Sequence, residues 1–234
     1  MSCEPCTLCS APSVLYQRYS GRFLCAHHLV ADVLIRMKRR IRQDGGLGKK
    51  SSLVIVEEGQ CWQCLVVLLG HILMTRPEMN FFLLHSHGSS ENSSDLITFL
   101  PSHIHIRRVE RGGTSLEKMV MNVGADRLIQ CRTLDEEAEL VLSSLFEGSC
   151  SYLWQSPDIS PVNILRPFCD IPFSELVLVA RELAIPMPKL DTSRCDTQMF
   201  LDSLAQNHPS VPFSLIRYRE RLCALYKEHQ NSPR

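Results

Sequence analysis

Apolar positions along the chain repeat with two different periods. Ser52-Leu-Val-Ile-Val56 is a short, unbroken apolar run, which suits a strand buried on both faces. Phe81-Phe-Leu-Leu84, Ile104 to Val109, Asp126 to Gln130 and Val162-Asn-Ile-Leu165 read as further strands. Helical stretches fall between them: Cys61 to Met74, Thr114 to Val123, Leu134 to Phe146 and Phe173 to Leu183. Strands alternating with helices predict a parallel sheet with helices on both faces. Ligands of such sheets bind beyond the carboxyl ends of the strands. Asp196 to Glu228 reads as helical, interrupted at His208-Pro209 and at Pro212.

Ahead of the first strand, Leu29 to Gln43 reads as a helix with an apolar stripe of Val30, Val33, Leu34, Met37 and Ile41. Gly45-Gly46-Leu47-Gly48-Lys49-Lys50 reads as a flexible link. The chain therefore divides into a small segment 1–29, a basic helix and linker 30–50, an α/β domain 51–190 and a helical segment 191–234.

Charge changes the picture only locally. Lys plus Arg and Asp plus Glu are 25 each, so the total names no partner. The helix after His28, however, carries Arg36, Lys38, Arg39, Arg40 and Arg42 around its apolar stripe. This is either a solvated basic face or a contact for a nucleic-acid backbone, where Lys and Arg displace counterions. No apolar run reaches the ~18 residues that span a bilayer, and the start lacks a signal-peptide pattern. A cytoplasmic protein with no membrane contact is expected.

Eleven cysteines then become informative, because a reducing compartment favours metal ligands and free thiols over disulfides. Cys6-Thr-Leu-Cys9 and Cys25-Ala-His27-His28 are two short pairs flanking a hairpin with its turn at Ser20-Gly21. Two such pairs fill a tetrahedral zinc shell and leave no open position, so Zn2+ at Cys6, Cys9, Cys25 and His28 is expected to be structural. Cys3 with Cys6, and His27 in place of His28, are competing choices. A second C-x-x-C, Cys61-Trp-Gln-Cys64, sits at a strand-to-helix turn. A helix amino terminus lowers a thiol pKa, which makes this pair a candidate thiol or metal site; the alternative is simple packing. His85 with His87 and His103 with His105 place imidazoles on shared strand faces, and would converge with Cys61 and Cys64 on a metal if the second and third strands are neighbours; the alternative is separate surface histidines near strand ends.

Several stretches, in order, resemble one family. CTLCSAPSVLYQRYSGRFLCAHHL resembles the amino-terminal zinc finger of the TtcA/TtuA group of tRNA-thiolating enzymes. GADRLIQCRTLDEEAELVLSSLFEG resembles its GAD…TGHNLDDEAQ segment, ILRPFCDIPFSELVLVARELAIP its R-P-L motif, and FLDSLAQNHPSVPFSLIRYRERL its carboxyl-terminal helices. The resemblance covers most of the chain. It implies an adenine nucleotide alpha hydrolase-like (PP-loop) fold behind a small zinc finger, with tRNA as a partner. It also sets the zinc register at Cys9 and His28.

The departures are as specific as the matches. The family adenylates a tRNA base with ATP and delivers sulfur, and its S-G-G-x-D-S loop cradles pyrophosphate with backbone N–H groups and a helix amino terminus. Glu57-Glu58-Gly59-Gln60-Cys61-Trp62 stands here instead. Two carboxylates ~4 Å from a phosphate cost on the order of 1 kcal/mol each even in a watery setting. ATP hydrolysis in the family manner is therefore not expected. Asp135 survives from the family's acidic helix start, but the preceding Gly-His is Cys131-Arg132. The catalytic C-x-x-C has no counterpart between Val109 and Leu116, so no iron–sulfur cluster is expected. These departures imply a non-catalytic tRNA-binding subunit that works with an active thiolation-family paralogue or with a second copy of itself. The competing readings are an active ATP-dependent tRNA sulfurtransferase, and a thiol or metal protein using Cys61 and Cys64.

Overall fold

The computed structural model describes residues 4–47, 52–57, 59–74, 80–85, 105–110, 116–149, 151–154, 162–187 and 195–231. A two-stranded hairpin, β1 (Leu15–Gln17) and β2 (Arg22–Leu24), turns at Gly21, whose φ of 68° suits a residue without a Cβ. Helix α1 (Ala26–Gln43) follows at once. The main sheet is formed by β3 (Ser52–Val56), β4 (Asn80–His85), β5 (His105–Glu110), β6 (Arg127–Ile129) and β7 (Asn163–Leu165), all parallel, in the order β5-β4-β3-β6-β7. Between and after them come α2 (Trp62–Leu73), α3 (Leu116–Asn122), α4 (Leu134–Phe146), α5 (Ser151–Trp154), α6 (Phe173–Glu182), α7 (Asp196–Asn207) and α8 (Val211–Asn231).

The pleat of β3 explains the layers. Leu53 and Ile55 face one core with Phe81, Leu83 and Leu165, under α1, α2 and α6. Val54 and Val56 face the other, with Phe82, Leu84 and the α3 residues Met119 and Val120. Both sheet faces are covered, as the alternation of elements predicts. Helix α1 belongs to the first core through Leu29, Val33, Met37 and Ile41. A third cluster joins α4 to α7 and α8 through Leu134, Ala138, Leu142, Leu201 and Ile216.

Two details differ from expectation. The one-turn helix α5 is too short to leave a period in the sequence. Pro212 does not interrupt the tail; it sits in the first turn of α8, where its missing N–H costs nothing. The third strand is described from His105 to Glu110, and Ile104 lies outside the described residues. Strand order reverses on either side of β3, so the crevice beyond the ends of β3 and β6 is the place where such a sheet receives ligands.

Candidate metal centre and sheet-end cleft

The four predicted metal ligands come together. A tight turn puts Cys9 N 3.4 Å and Ser10 N 3.1 Å from Cys6 O, with Ser10 held at a φ of 58°. Cys25 caps α1 and His28 lies in its first turn, so both project from one side of the helix start. The Cys9 and Cys25 sulfurs are 3.6 Å apart, and His28 Nδ1 is 3.5 Å from Cys6 Sγ and 3.3 Å from Cys25 Sγ. All four donor atoms lie within 4.8 Å of one another. A tetrahedron with metal–sulfur bonds of ~2.3 Å has edges of about 3.8 Å, so this donor set fits a zinc-sized ion without rearrangement. Desolvation pushes the Cys6 thiol up, but the N–H groups of Leu8 and Cys25 and the His28 ring outweigh it and bring the thiol down to about 6. His27 is not in this quartet, and Cys3 lies outside the described residues.

Below the metal, the finger is clamped to the main domain through polar groups. Arg36 Nη1 reaches Glu175 Oε2 at 2.7 Å, Tyr19 OH at 2.7 Å and Asp32 Oδ2 at 3.4 Å, and Arg36 Nη2 donates to the Asp170 carbonyl. Tyr19 OH and Gln17 Nε2 donate to Glu175 Oε1 at 2.5 Å and 3.2 Å. One turn further on, Arg40 meets Asp44 at 3.1 Å, Asp170 at 3.9 Å and Glu220 in close contact. Arg36 and Arg40 are 7% and 8% exposed. This corrects the expectation that they lie on a solvent-facing basic face. Helix α1 is packed against neighbours on more than its apolar stripe, and its inner polar positions are met by carboxylates of distant segments. Lys38, Arg39 and Arg42 remain exposed; Arg39 stands 3.6 Å from Asp170.

At the sheet end, Glu57 is 6% exposed and its N–H donates to Leu84 O at 2.9 Å, prolonging the β3–β4 ladder. Glu58 lies outside the described residues, and Gln60 is half-buried. Gly59 takes a φ of 81°, in the left-handed region, where a Cβ would approach Cys131 O at 3.7 Å and Glu136 Oε1 at 3.8 Å. A cleft of about 390 Å³ opens here, lined by Val56, Gly59, Leu116, Gln130, Cys131, Arg132 and Glu136.

Cys61 caps α2 and Cys64 follows it inside, both buried. Burial pushes the Cys61 thiol up, helped by Cys64, Glu136 and Asp135, and pushes Cys64 up to about 12. The lowering expected from the helix terminus is overridden by desolvation. Cys131, buried beside them and pushed up for the same reason, was not singled out by its spacing.

The acidic start of α4 is engaged inside the protein. Thr133 and Glu136 form a reciprocal capping box, and Asp135 Oδ2 accepts the Phe173 N–H at 2.6 Å, tying α4 to the start of α6. Glu137, 1% exposed, faces Arg166 at 3.5 Å, Arg219 at 3.6 Å and Arg132 at 3.7 Å, and accepts the Tyr152 hydroxyl. Periodicity gives no sign of this cluster, because its members come from five separate elements and loops.

The histidine convergence does not form. Asn80 pairs with His105 and His85 with Glu110, so His85 and His105 stand at opposite ends of the β4–β5 ladder, roughly 17 Å of strand apart. His87 and His103 lie outside the described residues. Among the described residues, no helix is long and apolar enough to cross a membrane.

No family model matches the chain. It is 25% identical over 282 residues to the tRNA 2-thiolation protein NcsA of Haloferax volcanii, covering 94% of this chain and 87% of that protein. The solved U34-tRNA thiolase NcsA from Methanococcus maripaludis superposes with a TM-score of 0.77 at 19% identity, over 96% of this chain and 88% of that one. That likeness shows the fold: an adenine nucleotide alpha hydrolase-like (PP-loop) parallel sheet. An NH3-dependent NAD synthetase from Campylobacter jejuni aligns at 12% identity and a TM-score of 0.44, too remote to carry an argument. The solved thiolase is described with its 4Fe-4S cluster, which does not fit the expectation of no cluster and moves the question of iron to direct metal analysis.

Proposed function

We propose, from the premise that the chain is a member of the TtcA/TtuA-type tRNA-thiolation family, that it serves tRNA sulfur modification in the cytoplasm as a tRNA-binding subunit rather than as the catalyst. The observation that carries the non-catalytic reading is the β3–α2 turn. The family's phosphate cradle depends on glycines and open N–H groups ahead of the helix, whereas this turn carries the buried Glu57 and a single left-handed glycine, Gly59. The cleft beside the turn is lined by one carboxylate, Glu136, and one cation, Arg132. Anionic phosphate placed there would lack the run of glycine N–H donors that the family's loop supplies.

In this reading zinc is held by Cys6, Cys9, Cys25 and His28 as a structural metal. The ion joins the turn, the hairpin and the start of α1 into one unit and supplies the folding energy that a module this small cannot gain by burial. The exposed cations that follow on α1, Lys38 and Arg39 with Arg42, are positioned to contact a tRNA backbone. The catalytic partner is an active paralogue of the same family, or a second copy of this chain.

Calorimetry with a non-hydrolysable ATP analogue tests the reading. No heat of binding is expected up to millimolar analogue; micromolar affinity would establish instead the second reading, an active ATP-dependent sulfurtransferase. That reading draws on the cleft of about 390 Å³ retained at the sheet switch point. Reversing Lys38 and Arg39 to Glu is expected to weaken tRNA binding by about tenfold at low salt and less at high salt, and unchanged binding removes α1 from the RNA contact.

A further inference from the structure

Helices α4 and α7 leave an apolar face uncovered. Their inner sides meet α8 through Leu142, Leu201 and Ile216. Their outer sides carry Leu145, Phe146, Met199 and Phe200, all exposed, with Phe146 at 63% and Phe200 at 47%. The two rings lie together, their centroids 5.8 Å apart. These four side chains show on the order of 400 Å² of apolar surface, a size at which a patch marks an interaction site. Nearer the start of both helices, the Cys195 thiol donates to Glu139 Oε1 at 3.0 Å. The helices therefore run side by side in the same direction, and their shared face has a polarity. Glu139 and Asp196 form its acidic end; the aromatic pair forms its apolar end, about 10 Å further along α4. Neither carboxylate has an ion-pair partner among the described residues. The two helices contain no Lys or Arg, so this face repels a nucleic-acid backbone and suits a protein.

The complementary face is on the same chain. Along the outer side of α1, Ile35, Lys38, Arg39 and Arg42 share one stripe by helical spacing and are all exposed, Ile35 at 63%. Lys38 and Arg42 have no ion-pair partner among the described residues, while Arg39 stands beside Asp170. This stripe also runs about 10 Å from an apolar end to a charged end. Laid antiparallel to α4, it sets Ile35 against Phe146 and Phe200, and Lys38 and Arg42 toward Glu139 and Asp196. The two faces match in length, in polarity and in sign of charge. Both are exposed in one molecule, so they do not meet within it. Pairing the aromatic patch with its own copy would instead crowd Glu139, Asp196 and Glu147 against carboxylates.

We infer that the α4–α7 face is a docking surface for α1 of a second copy of this chain, with Phe146 and Phe200 receiving Ile35, and Glu139 and Asp196 receiving Lys38 and Arg42. The two faces differ, so the contact is head-to-tail. The contact does not rest on the tRNA reading; it selects, of the two partners named above, the one this chain engages by itself. Each contact covers less than the ~800 Å² per partner of a standard interface, so association in the micromolar range is expected.

Sedimentation velocity on the nuclease-treated full-length chain, from low to several hundred micromolar, tests this. Wild type is expected to associate with rising concentration, and less so as salt screens the charges. Phe200→Ser should weaken association by about tenfold with every charge in place. Two charge variants carry the discrimination: Glu139→Lys with Asp196→Lys, and Lys38→Glu with Arg42→Glu. Each alone should stay monomeric. Mixed in equal amounts they should form a one-to-one complex, because the reversed α4–α7 face of one then meets the reversed α1 of the other; that recovery also shows both to be folded. A wild type that stays monomeric at every concentration overturns the inference, and so does a mixture that stays monomeric while each variant keeps the wild-type Tm. Association that strengthens with salt and survives Lys38→Glu with Arg42→Glu shows the patch pairing with itself and overturns α1 as the occupant. A monomer that still binds tRNA overturns the docking surface and leaves the tRNA reading standing; an associating chain that binds no tRNA does the reverse.

Discussion

Replacing Glu175 with Ala removes the carboxylate on which the finger and the main domain meet. Arg36 would keep Asp32 at 3.4 Å and the Asp170 carbonyl, but lose its 2.7 Å partner, and the Tyr19 hydroxyl would lose its acceptor. Removing one member of a buried ion pair costs ~3–5 kcal/mol, because the remaining charge stays desolvated. Asp32 is 15% exposed and already shared with Arg22, so it recovers only part of this. The orphaned Tyr19 hydroxyl adds ~1 kcal/mol. A net loss of about 3–4 kcal/mol corresponds, for a chain of this size, to a fall in Tm of about 10 °C.

Thermal unfolding followed by circular dichroism, at fixed pH and zinc, measures this. Glu175→Gln should fall between wild type and Ala, because it keeps an acceptor for Tyr19 but not the charge. Arg36→Met with Glu175→Leu should be more stable than Glu175→Ala alone, since neither charge is then left buried. Metal content should stay unchanged throughout, because the four ligands lie outside the clamp. A fall below about 2 °C for Glu175→Ala, or a double variant no better than the single one, would refute the clamp.

Three further outcomes follow from the same geometry. Cys25→Ser should take zinc from one ion per chain to well below that and unravel the finger, because Cys25 is both a ligand and the cap of α1; elemental analysis for zinc and iron on wild type decides the metal, and wild type without zinc would sink the assignment. Alkylation at pH 8.5 should modify the exposed Cys195 quickly while Cys61 and Cys64 react only on unfolding. Their raised folded-state pKa values add stability below the ordinary thiol value of ~8.5 that is lost as pH climbs toward 12, so the chain should become easier to unfold above about pH 9; flat stability from pH 8 to 11 would contradict this.

The sheet was legible because its signals are local. An apolar run such as Leu53 to Val56 states both that it is a strand and that it is covered on both faces, and the capping-box pattern at Thr133 states where α4 begins. The quartet of Cys6, Cys9, Cys25 and His28 was legible for the same reason, since two short pairs fix four donors. What failed was whatever depends on a partner far along the chain. Arg36 meets Glu175 across 139 positions, so the sequence of α1 alone could not separate its buried arginines from the exposed Lys38 and Arg39. The histidine pairs failed on register: adjacency of β4 and β5 was reasonable, but the ladder sets His105 opposite Asn80. The Cys61 thiol failed on magnitude, because full burial outweighs a helix terminus.

The acidic segment at the start of α4 bears most directly on catalysis. Glu136 lines the cleft beside Gly59 of the β3–α2 turn, and all three carboxylates of the segment are engaged within the protein. Asp135 caps α6, Glu136 closes the capping box, and Glu137 binds a ring of arginines together with Tyr152. Freeing any of them for a metal or a nucleotide would break a contact joining two elements, at a cost of about 1 kcal/mol for a cap and several for the buried ion cluster. Chemistry at the sheet end would thus compete with the fold.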